Sequence, residues 1–234
     1  MSTQYTHRNG DLEAPTVVGQ YWFRGTFFGG TNNFDVAGQV GVIAADNFGL
    51  MACRSMIIVD LDDFCEDNNA LDRLFQLRAK VPGFKVNLFT IPGLCSSFFL
   101  NEVRKLEWVD MIPHGFIHDT SRECERWSYS QSIEYLDYIE NFGMTRGYKS
   151  PGWQTSDGLF RALAERGYWV ADQAYNNDRR PSELRAYILD EPHKIHGHIG
   201  HMGGHNANAL ELIYDSLLKL RGEFMFIKDL WPSI

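Results

Sequence analysis

From residue 55 onward, the chain alternates between two patterns of apolar and polar positions. Short apolar runs rich in β-branched residues, such as 55–61, are typical of strands buried in a parallel sheet. Longer blocks with apolar residues three and four apart, such as 70–80, predict amphipathic helices. The pattern predicts strands at 55–61, 84–91, 108–112, 146–149, 168–171, 186–189, 194–199 and 223–227, and helices at 70–80, 96–106, 130–141, 156–166 and 207–220.

This β-α alternation predicts an α/β fold, with a parallel sheet and outer helices arranged as an open doubly wound sheet or as a barrel. A complete eight-unit barrel takes ~250 residues, so a barrel in this chain would be small or one unit short. Residues 1–50 have short strand-like runs and turns without helical period, which predicts an N-terminal extension of short strands. Residues 51–234 are expected to form one α/β domain.

Composition narrows the class of protein. Thirty acidic and 22 basic side chains give a net charge of −8, which argues against a nucleic-acid partner. The polar start lacks the pattern of a secretory signal, and no apolar stretch approaches the ~20 residues of a membrane span. The four cysteines have no CxxC spacing, so we expect reduced thiols in a cytoplasmic protein without membrane association. The sequence leaves the oligomeric state open.

Histidine, the commonest metal ligand among side chains, is unevenly distributed. Seven of the eight histidines fall in two short windows of the chain. The first window holds His114 and His118, and the second holds His193, His196, His198, His201 and His205.

A cluster of carboxylates ends the strand predicted at 55–61. Asp60, Asp62 and Asp63 fall within four residues, and their mutual repulsion favours a chemical role at this carboxyl end, where α/β folds place their sites. Adjacent residues point in different directions, so we expect Asp62 and Asp63 to take separate tasks, one as a base and one as a metal ligand. The alternative is an acidic helix N-terminus favoured by the helix dipole.

The first histidine window follows the strand predicted at 108–112. Pro113 and Gly115 indicate a loop, in which His114 and His118 lie on one side of a turn and can bind one cation. There is no HExxH motif, so a zincin-type peptidase is not indicated. Joined by an aspartate from another strand end, the two histidines would form an Asp-His-His set with open positions for water and substrate.

Two further strand ends carry candidate residues. Lys149 precedes a Pro-Gly turn and could orient a carboxylate, while Trp153, with Tyr148 and Pro151, is a candidate for binding a sugar or another ring-shaped ligand. A plain strand-turn-helix connection is the alternative for this segment. In the second histidine window, positions 196 and 198 share one face of a strand, so either histidine is a candidate general acid. The histidines at 193, 201 and 205 are expected to be solvated loop residues.

These four segments, in this order, resemble the polysaccharide deacetylase family, which is also carbohydrate esterase family 4 or the NodB homology domain. The family's Thr-Phe-Asp-Asp-Gly motif corresponds to residues 60–64, and its His-(Ser/Thr)-x-x-His motif corresponds to residues 114–118. Its Arg-Pro-Pro type of turn is similar to residues 149–153, and its last strand, ending in Leu-x-His or Leu-His-Asp, is similar to 195–198. The resemblance covers roughly residues 55–230.

The resemblance implies an irregular (β/α)7-type barrel and a metal-dependent deacetylase of N-acetylated carbohydrate. Asp63, His114 and His118 would bind a divalent cation, usually zinc and sometimes cobalt or nickel. Asp62 would be the general base that deprotonates the attacking water. The products would be acetate and a free amino sugar.

The resemblance leaves the proton donor to the leaving amine open between His196 and His198. His198 is favoured because it lies further toward the carboxyl end of the strand. The family's fourth motif, an aspartate that tunes this histidine, has no firm counterpart, and Asp172 and Asp178 are the candidates. Lys149 stands where the family has the arginine that steadies the base, and it is a point charge without the bidentate fork.

Phe64, Asp60 and Ser150 also depart from the family's glycine, threonine and proline. These departures concern the substrate more than metal binding. One alternative function is hydrolysis of another small or cyclic amide at the same metal site. The other is a non-catalytic carbohydrate-binding or structural protein that has kept the barrel.

Overall fold

The chain divides into two units, Met1–Ser55 and Met56–Ile234. The computed structural model describes residues 19–21, 40–42, 56–171, 177–187, 194–200 and 209–230. In the first unit, strands β1 (Gly19–Tyr21) and β2 (Val40–Val42) form an antiparallel pair. All of the chemistry described below lies in the second unit.

The apolar runs of the second unit form two sheets in which every strand pair is parallel. The larger sheet has the order β10-β3-β4-β5, with β9 also paired to β3, and the smaller has the order β6-β7-β8. The strands are β3 (Met56–Phe64), β4 (Val86–Thr90), β5 (Val109–Pro113), β6 (Gly147–Lys149), β7 (Trp169–Ala171), β8 (Arg185–Tyr187), β9 (Lys194–His198) and β10 (Glu223–Phe224).

Helices follow the strands as the apolar periodicity predicts. They are α1 (Leu71–Lys80), α2 (Ser97–Val103), α3 (Tyr129–Glu140), α4 (Asp157–Glu165) and α5 (Leu210–Leu217). Three of them begin at a serine whose side chain accepts a hydrogen bond from a backbone N–H of the first turn: Ser96, Ser128 and Ser156. Such caps satisfy one of the free donors at a helix start, which explains why these helices begin where they do.

Burial explains why the strands hold together. All of β4, and β3 after its first residue, are buried, as expected for parallel strands covered on both faces. One apolar cluster contains side chains of both sheets, including Ile58, Phe89, Ile112, Trp169 and Tyr187. The two sheets therefore share an interior, and their carboxyl ends open toward the same group of polar side chains.

The predicted α/β class with parallel strands is confirmed by these sheets. Closure of the sheets into a single seven-stranded barrel stays a prediction. The last predicted strand, at 223–227, is shorter than expected: β10 ends at Phe224, and a 3₁₀ turn, Ile227–Leu230, follows it. Within the described ranges, no helix has the length and apolar character needed to cross a membrane.

Candidate metal centre

Three carboxylates lie at the carboxyl end of β3, and all three are buried. Asp60 and Asp62 share a face of the strand because side chains alternate. Asp63 has a φ of 66°, and the pairing of β3 with β4 shifts register between Leu61 and Phe64. Carboxylate oxygens of Asp62 and Asp63 lie 3.9 Å and 3.6 Å from His114 Nε2, and a left-handed backbone such as that of Asp63 costs about 1–3 kcal/mol.

His114 directly follows β5 and is held in one orientation. Its backbone N–H donates to the Thr90 carbonyl at 2.7 Å. Its ring Nδ1 donates to the Lys149 carbonyl at 2.9 Å, which leaves Nε2 as the free lone pair. This Nε2 lies 3.6 Å from Asp63 Oδ1 and 3.9 Å from Asp62 Oδ2. The backbone carbonyl of β6 thus sets which nitrogen of His114 faces the carboxylates.

His118 is brought back toward the same point by a tight loop. Gly115 and His118 both have positive φ, 67° and 52°. The Glu123 carboxylate accepts hydrogen bonds from the backbone N–H groups of Phe116, Ile117 and His118 at 3.0–3.2 Å. Sequence reasoning missed Glu123, since an acidic residue five positions beyond the histidine gives no signal of this contact.

The Asp63–His114–His118 group fits a divalent cation. Asp63 Oδ1 lies 3.6 Å from His114 Nε2 and 3.5 Å from His118 Nε2. Ligands at 2.0–2.2 Å in a tetrahedral arrangement are separated by about 3.4 Å, close to these distances. Asp63 Oδ1 is also buried without a hydrogen bond among the described residues. One carboxylate and two imidazoles suit zinc and the neighbouring transition metals.

The side chains of this group shift one another's pKa values. Burial alone would raise the pKa of Asp63, but the neighbouring histidines outweigh it and hold that pKa below its ordinary value. Burial lowers the pKa of His114, yet the carboxylates of Asp62 and Asp63 raise it above its ordinary value. The pKa of His118 is lowered, first by burial and then by His114. The carboxylates are therefore ionised, which favours a cation between the rings.

Lys149, at the end of β6, is completely buried and ion-paired. Its Nζ donates to Asp62 Oδ1 at 2.8 Å and lies 4.0 Å from Asp60 Oδ1. The ammonium also lies 4.5 Å from the centre of the Phe89 ring. Burial raises the pKa of Asp62, but Lys149 and the surrounding histidines outweigh it, so that pKa lies well below its ordinary value. Asp62 is therefore ionised at neutral pH.

Two histidines of β9 face the same carboxylates. In the pairing of β3 with β9, Asp60 is opposite His196 and Asp62 is opposite His198. His196 Nδ1 lies 2.6 Å from Asp60 Oδ1, while His198 Nε2 lies 4.0 Å from Asp62 Oδ2. Burial lowers the pKa of His198. One ligand atom each of Asp62, His196 and His198 lie within 4.8 Å of one another, as do those of the first group.

The structure corrects the prediction for Tyr148. Its side chain is completely buried, and its hydroxyl lies 2.9 Å from Cys124 Sγ, away from the carboxylates. The reason is strand alternation: Lys149 faces the site, so the preceding residue must face the helices. Pro151 is also buried, and it packs where a Cβ at Gly115 would lie, so it supports the histidine loop rather than a ligand.

The other candidates are distributed as follows. Trp153 is half-buried with a φ of 61°, and its ring centre lies 6.4 Å from that of His196. Asp178 is exposed in the 3₁₀ turn Asn177–Arg179. Asp172, His193, His201 and His205 lie outside the described residues.

An aromatic cavity of about 330 Å³ opens beside the histidine loop. Phe116, between His114 and His118 in the sequence, packs edge-on against Tyr138 and Tyr135, with ring centres 5.6 and 6.1 Å apart. Polar side chains complete the lining, which consists of Phe116, Trp127, Gln131, Glu134, Tyr135 and Tyr138. Aromatic faces beside hydrogen-bonding groups are a common form of ligand pocket.

No protein-family model matches the sequence, and no curated protein matches it. Among solved structures, the chain is similar to the Xyl-CE4 domain of a multidomain xylanase from the hindgut metagenome of Trinervitermes trinervoides. The identity is 14% and the TM-score is 0.49, over 76% of this chain and 90% of that domain.

Two further solved structures are similar to this chain. One is a family 4 acetyl xylan esterase from Clostridium thermocellum in complex with a cobalt ion, at 13% identity and a TM-score of 0.48, over 75% of this chain and 89% of the esterase. The other is the chitin deacetylase of the fungal pathogen Colletotrichum lindemuthianum, at 12% identity and a TM-score of 0.49, over 78% of this chain and 90% of the deacetylase.

Proposed function

We propose that this chain is a metal-dependent hydrolase that removes acetyl groups from N-acetylated carbohydrate. The observation that carries the proposal is the convergence of Asp63, His114 and His118: the two Nε2 atoms lie 3.5–3.6 Å from Asp63 Oδ1, which accepts no hydrogen bond from the described residues. A second carboxylate, Asp62, lies directly beside them. A metal site and a base side by side suit the hydrolysis of an acyl bond.

Asp63, His114 and His118 would hold the divalent cation, with zinc first and cobalt or nickel as alternatives. The cation would supply Lewis acidity, which polarises an acyl carbonyl and makes a water more acidic. Asp63 contributes the charge of the ligand set. His114 is oriented for this task by its hydrogen bond to the Lys149 carbonyl.

Asp62 is the proposed general base. Its Oδ2 faces His114, while its Oδ1 accepts the bond from Lys149. Lys149 keeps this carboxylate ionised and fixes its orientation, so Oδ2 is left to accept a proton from the attacking water. The water oxygen then bonds to the acyl carbon, and the bond from that carbon to nitrogen breaks.

The leaving amine needs a proton, because an amide anion is a very poor leaving group. His196 and His198 lie across β3 from the base, and one of them would donate this proton to the nitrogen as the bond breaks. The products are acetate and a free amine.

The aromatic cavity supports a carbohydrate rather than a small amide as the substrate. Its volume of about 330 Å³ accommodates a sugar ring. The apolar face of a sugar can lie on Tyr138 or Phe116, while Gln131 can donate hydrogen bonds to its hydroxyls and Glu134 can accept hydrogen bonds from them. We therefore expect an oligomeric N-acetylated sugar to be a better substrate than a single sugar.

The test is acetate release from N-acetylglucosamine monomer and oligomers by the protein loaded with zinc, cobalt or nickel. Asp62→Asn should abolish turnover and keep the metal, while His114→Ala should lose both. Asp72→Asn, an exposed change in α1, is the matched control. Metal-loaded protein that releases no acetate would overturn the proposal.

Two other results of the same experiment would identify the alternatives. Hydrolysis of cyclic or small amides alone would indicate the second substrate class on the same metal site. Folded protein that binds no zinc and shows no thermal shift when zinc is added would indicate a non-catalytic binding protein.

A further inference from the structure

His196 is anchored by a carboxylate of the neighbouring strand. Its Nδ1 lies 2.6 Å from Asp60 Oδ1, and the two residues are directly opposite in the pairing of β3 with β9. Asp60 is completely buried. An imidazole bonded through Nδ1–H to a buried carboxylate is held in one tautomer and one orientation. The nitrogen left for the site is Nε2.

We propose that Asp60 is the positioning residue that orients His196 as the proton donor to the leaving amine. This inference rests on the proposed function, and it assigns a role that the function itself leaves open between two histidines. It also reverses the preference for His198 that strand position alone suggested.

The surroundings of the two histidines distinguish them. His198 Nδ1 is buried and makes no hydrogen bond among the described residues, so none of these residues fixes the tautomer of that ring. Burial also lowers the pKa of His198, which disfavours the protonated form that a donor needs. His196 has a carboxylate behind it and the Trp153 ring 6.4 Å away.

Asp60 also connects His196 to the buried cation of the site. Its Oδ1 lies 2.6 Å from His196 Nδ1 and 4.0 Å from Lys149 Nζ. In the reaction, Nε2 gives its proton to the nitrogen, the electron pair of the broken bond stays on that nitrogen, and the neutral imidazole remains bonded to Asp60. The proton that Asp62 took from water can then return the acid to its starting state.

The experiment compares leaving groups. The variants are Asp60→Asn, His196→Gln and His198→Gln, with Asp72→Asn as the exposed control, all loaded with zinc. Each is assayed on an N-acetylglucosamine oligomer, whose amine must be protonated, and on 4-nitrophenyl acetate, whose phenolate leaves without a proton. Metal content and thermal unfolding check that each variant is folded.

We expect Asp60→Asn and His196→Gln to lower kcat on the oligomer by about 10²-fold, the scale of a lost proton donor, and to change ester hydrolysis less than about threefold. A double variant that combines Asp60→Asn with His196→Gln should be no slower than His196→Gln alone, because the two residues act as a unit. His198→Gln should slow both substrates by a similar factor. A merely structural role for Asp60 would also slow both equally, and that result would overturn the proposal, as would a leaving-group effect confined to His198→Gln.

A second measurement separates this proposal from the proposed function. The Nδ1–H proton of His196 should give a downfield proton resonance that disappears in Asp60→Asn and in His196→Gln. If the wild-type protein hydrolyses neither substrate, the proposed function fails, and the resonance alone then decides whether Asp60 holds His196. Its absence from the wild-type spectrum would overturn the anchoring.

Discussion

Lys149 Nζ lies 2.8 Å from Asp62 Oδ1, and the side chains are 0% and 5% exposed. The same residue accepts the Nδ1–H of His114 on its backbone carbonyl. One position at the end of β6 therefore orients both the proposed base and a proposed metal ligand. A buried pair of this kind is weak evidence for stability in itself, but removing one partner leaves an uncompensated charge in the interior.

Replacement of Lys149 by methionine should therefore destabilise the fold by about 3–5 kcal/mol. The double variant Lys149→Met with Asp62→Asn should recover part of that loss, because the buried carboxylate nearest to the lost ammonium is no longer charged. Urea unfolding of the metal-free proteins measures both values. A double variant whose loss equals the sum of the two single losses would show that the pair is not coupled.

The residues at the strand ends are the part of the site that the sequence predicts. Asp62, His114, Lys149 and His196 were expected at the carboxyl ends of separate strands, and parallel strands bring those ends to one edge of a sheet. The apolar runs, with the polar residue that follows each run, therefore predict the composition of the site from local pattern alone.

Contacts that depend on tertiary geometry could not be predicted in this way. The bond from His196 to Asp60 requires the register between β9 and β3, which no local pattern specifies. The left-handed backbone at Asp63 arises from a register shift against β4. Tyr148 does not bind a ligand as predicted, because it directly precedes Lys149 in the three-residue strand β6 and its side chain lies on the opposite face.

The charges of the site predict that it binds one metal ion. Asp60, Asp62 and Asp63 with Lys149 and the imidazolium of the proposed acid carry a formal charge of −1 in a buried region, so one divalent cation leaves a charge of +1 and a second would add a large positive excess. A second cation between Asp62 and the β9 histidines would lie beside the Lys149 ammonium, where repulsion is strong because water is excluded.

Elemental analysis of the purified, metal-saturated protein should thus find one equivalent of metal. His118→Ala should remove it, and His196→Gln should keep it. Two equivalents in the wild type that fall to one in His196→Gln would contradict this prediction and would locate a second ion at Asp62, His196 and His198.

Glu123 should control metal affinity without touching the metal. Its carboxylate holds three consecutive N–H groups of the loop that carries His118, so Glu123→Ala frees the loop and places the ring less accurately. We expect the affinity for zinc to fall about 10-fold, as for other residues that support a metal ligand. Competition with a chelating dye measures it.

Glu125→Ala is the matched control for this change. Glu125 lies in the same 3₁₀ turn, Glu123–Arg126, but pairs with the exposed side chain of Arg122 at 2.6 Å. Its loss should leave the zinc affinity unchanged. Equal weakening by both variants would mean that the turn as a whole, and not the carboxylate bonded to the loop, sets the affinity.

The aromatic cavity should determine the preference for longer substrates. Tyr138 is 40% exposed and forms one wall with Phe116, so Tyr138→Ala removes a face on which a sugar ring can lie. A lost aromatic contact is worth about 0.5–1.5 kcal/mol, so we expect KM for an N-acetylglucosamine oligomer to rise about 2–13-fold with kcat unchanged. KM for the monomer should stay the same, and Tyr138→Phe should keep the wild-type KM for the oligomer because it keeps the ring.

The control is Phe98→Ala. The Phe98 side chain is 75% exposed on α2 and lies outside the cavity lining. Two results would contradict the prediction: Phe98→Ala raises KM for the oligomer as much as Tyr138→Ala does, or Tyr138→Ala also lowers kcat for the monomer. Either result would mean that the cavity does not hold a second sugar and that another part of the protein determines the preference for longer substrates.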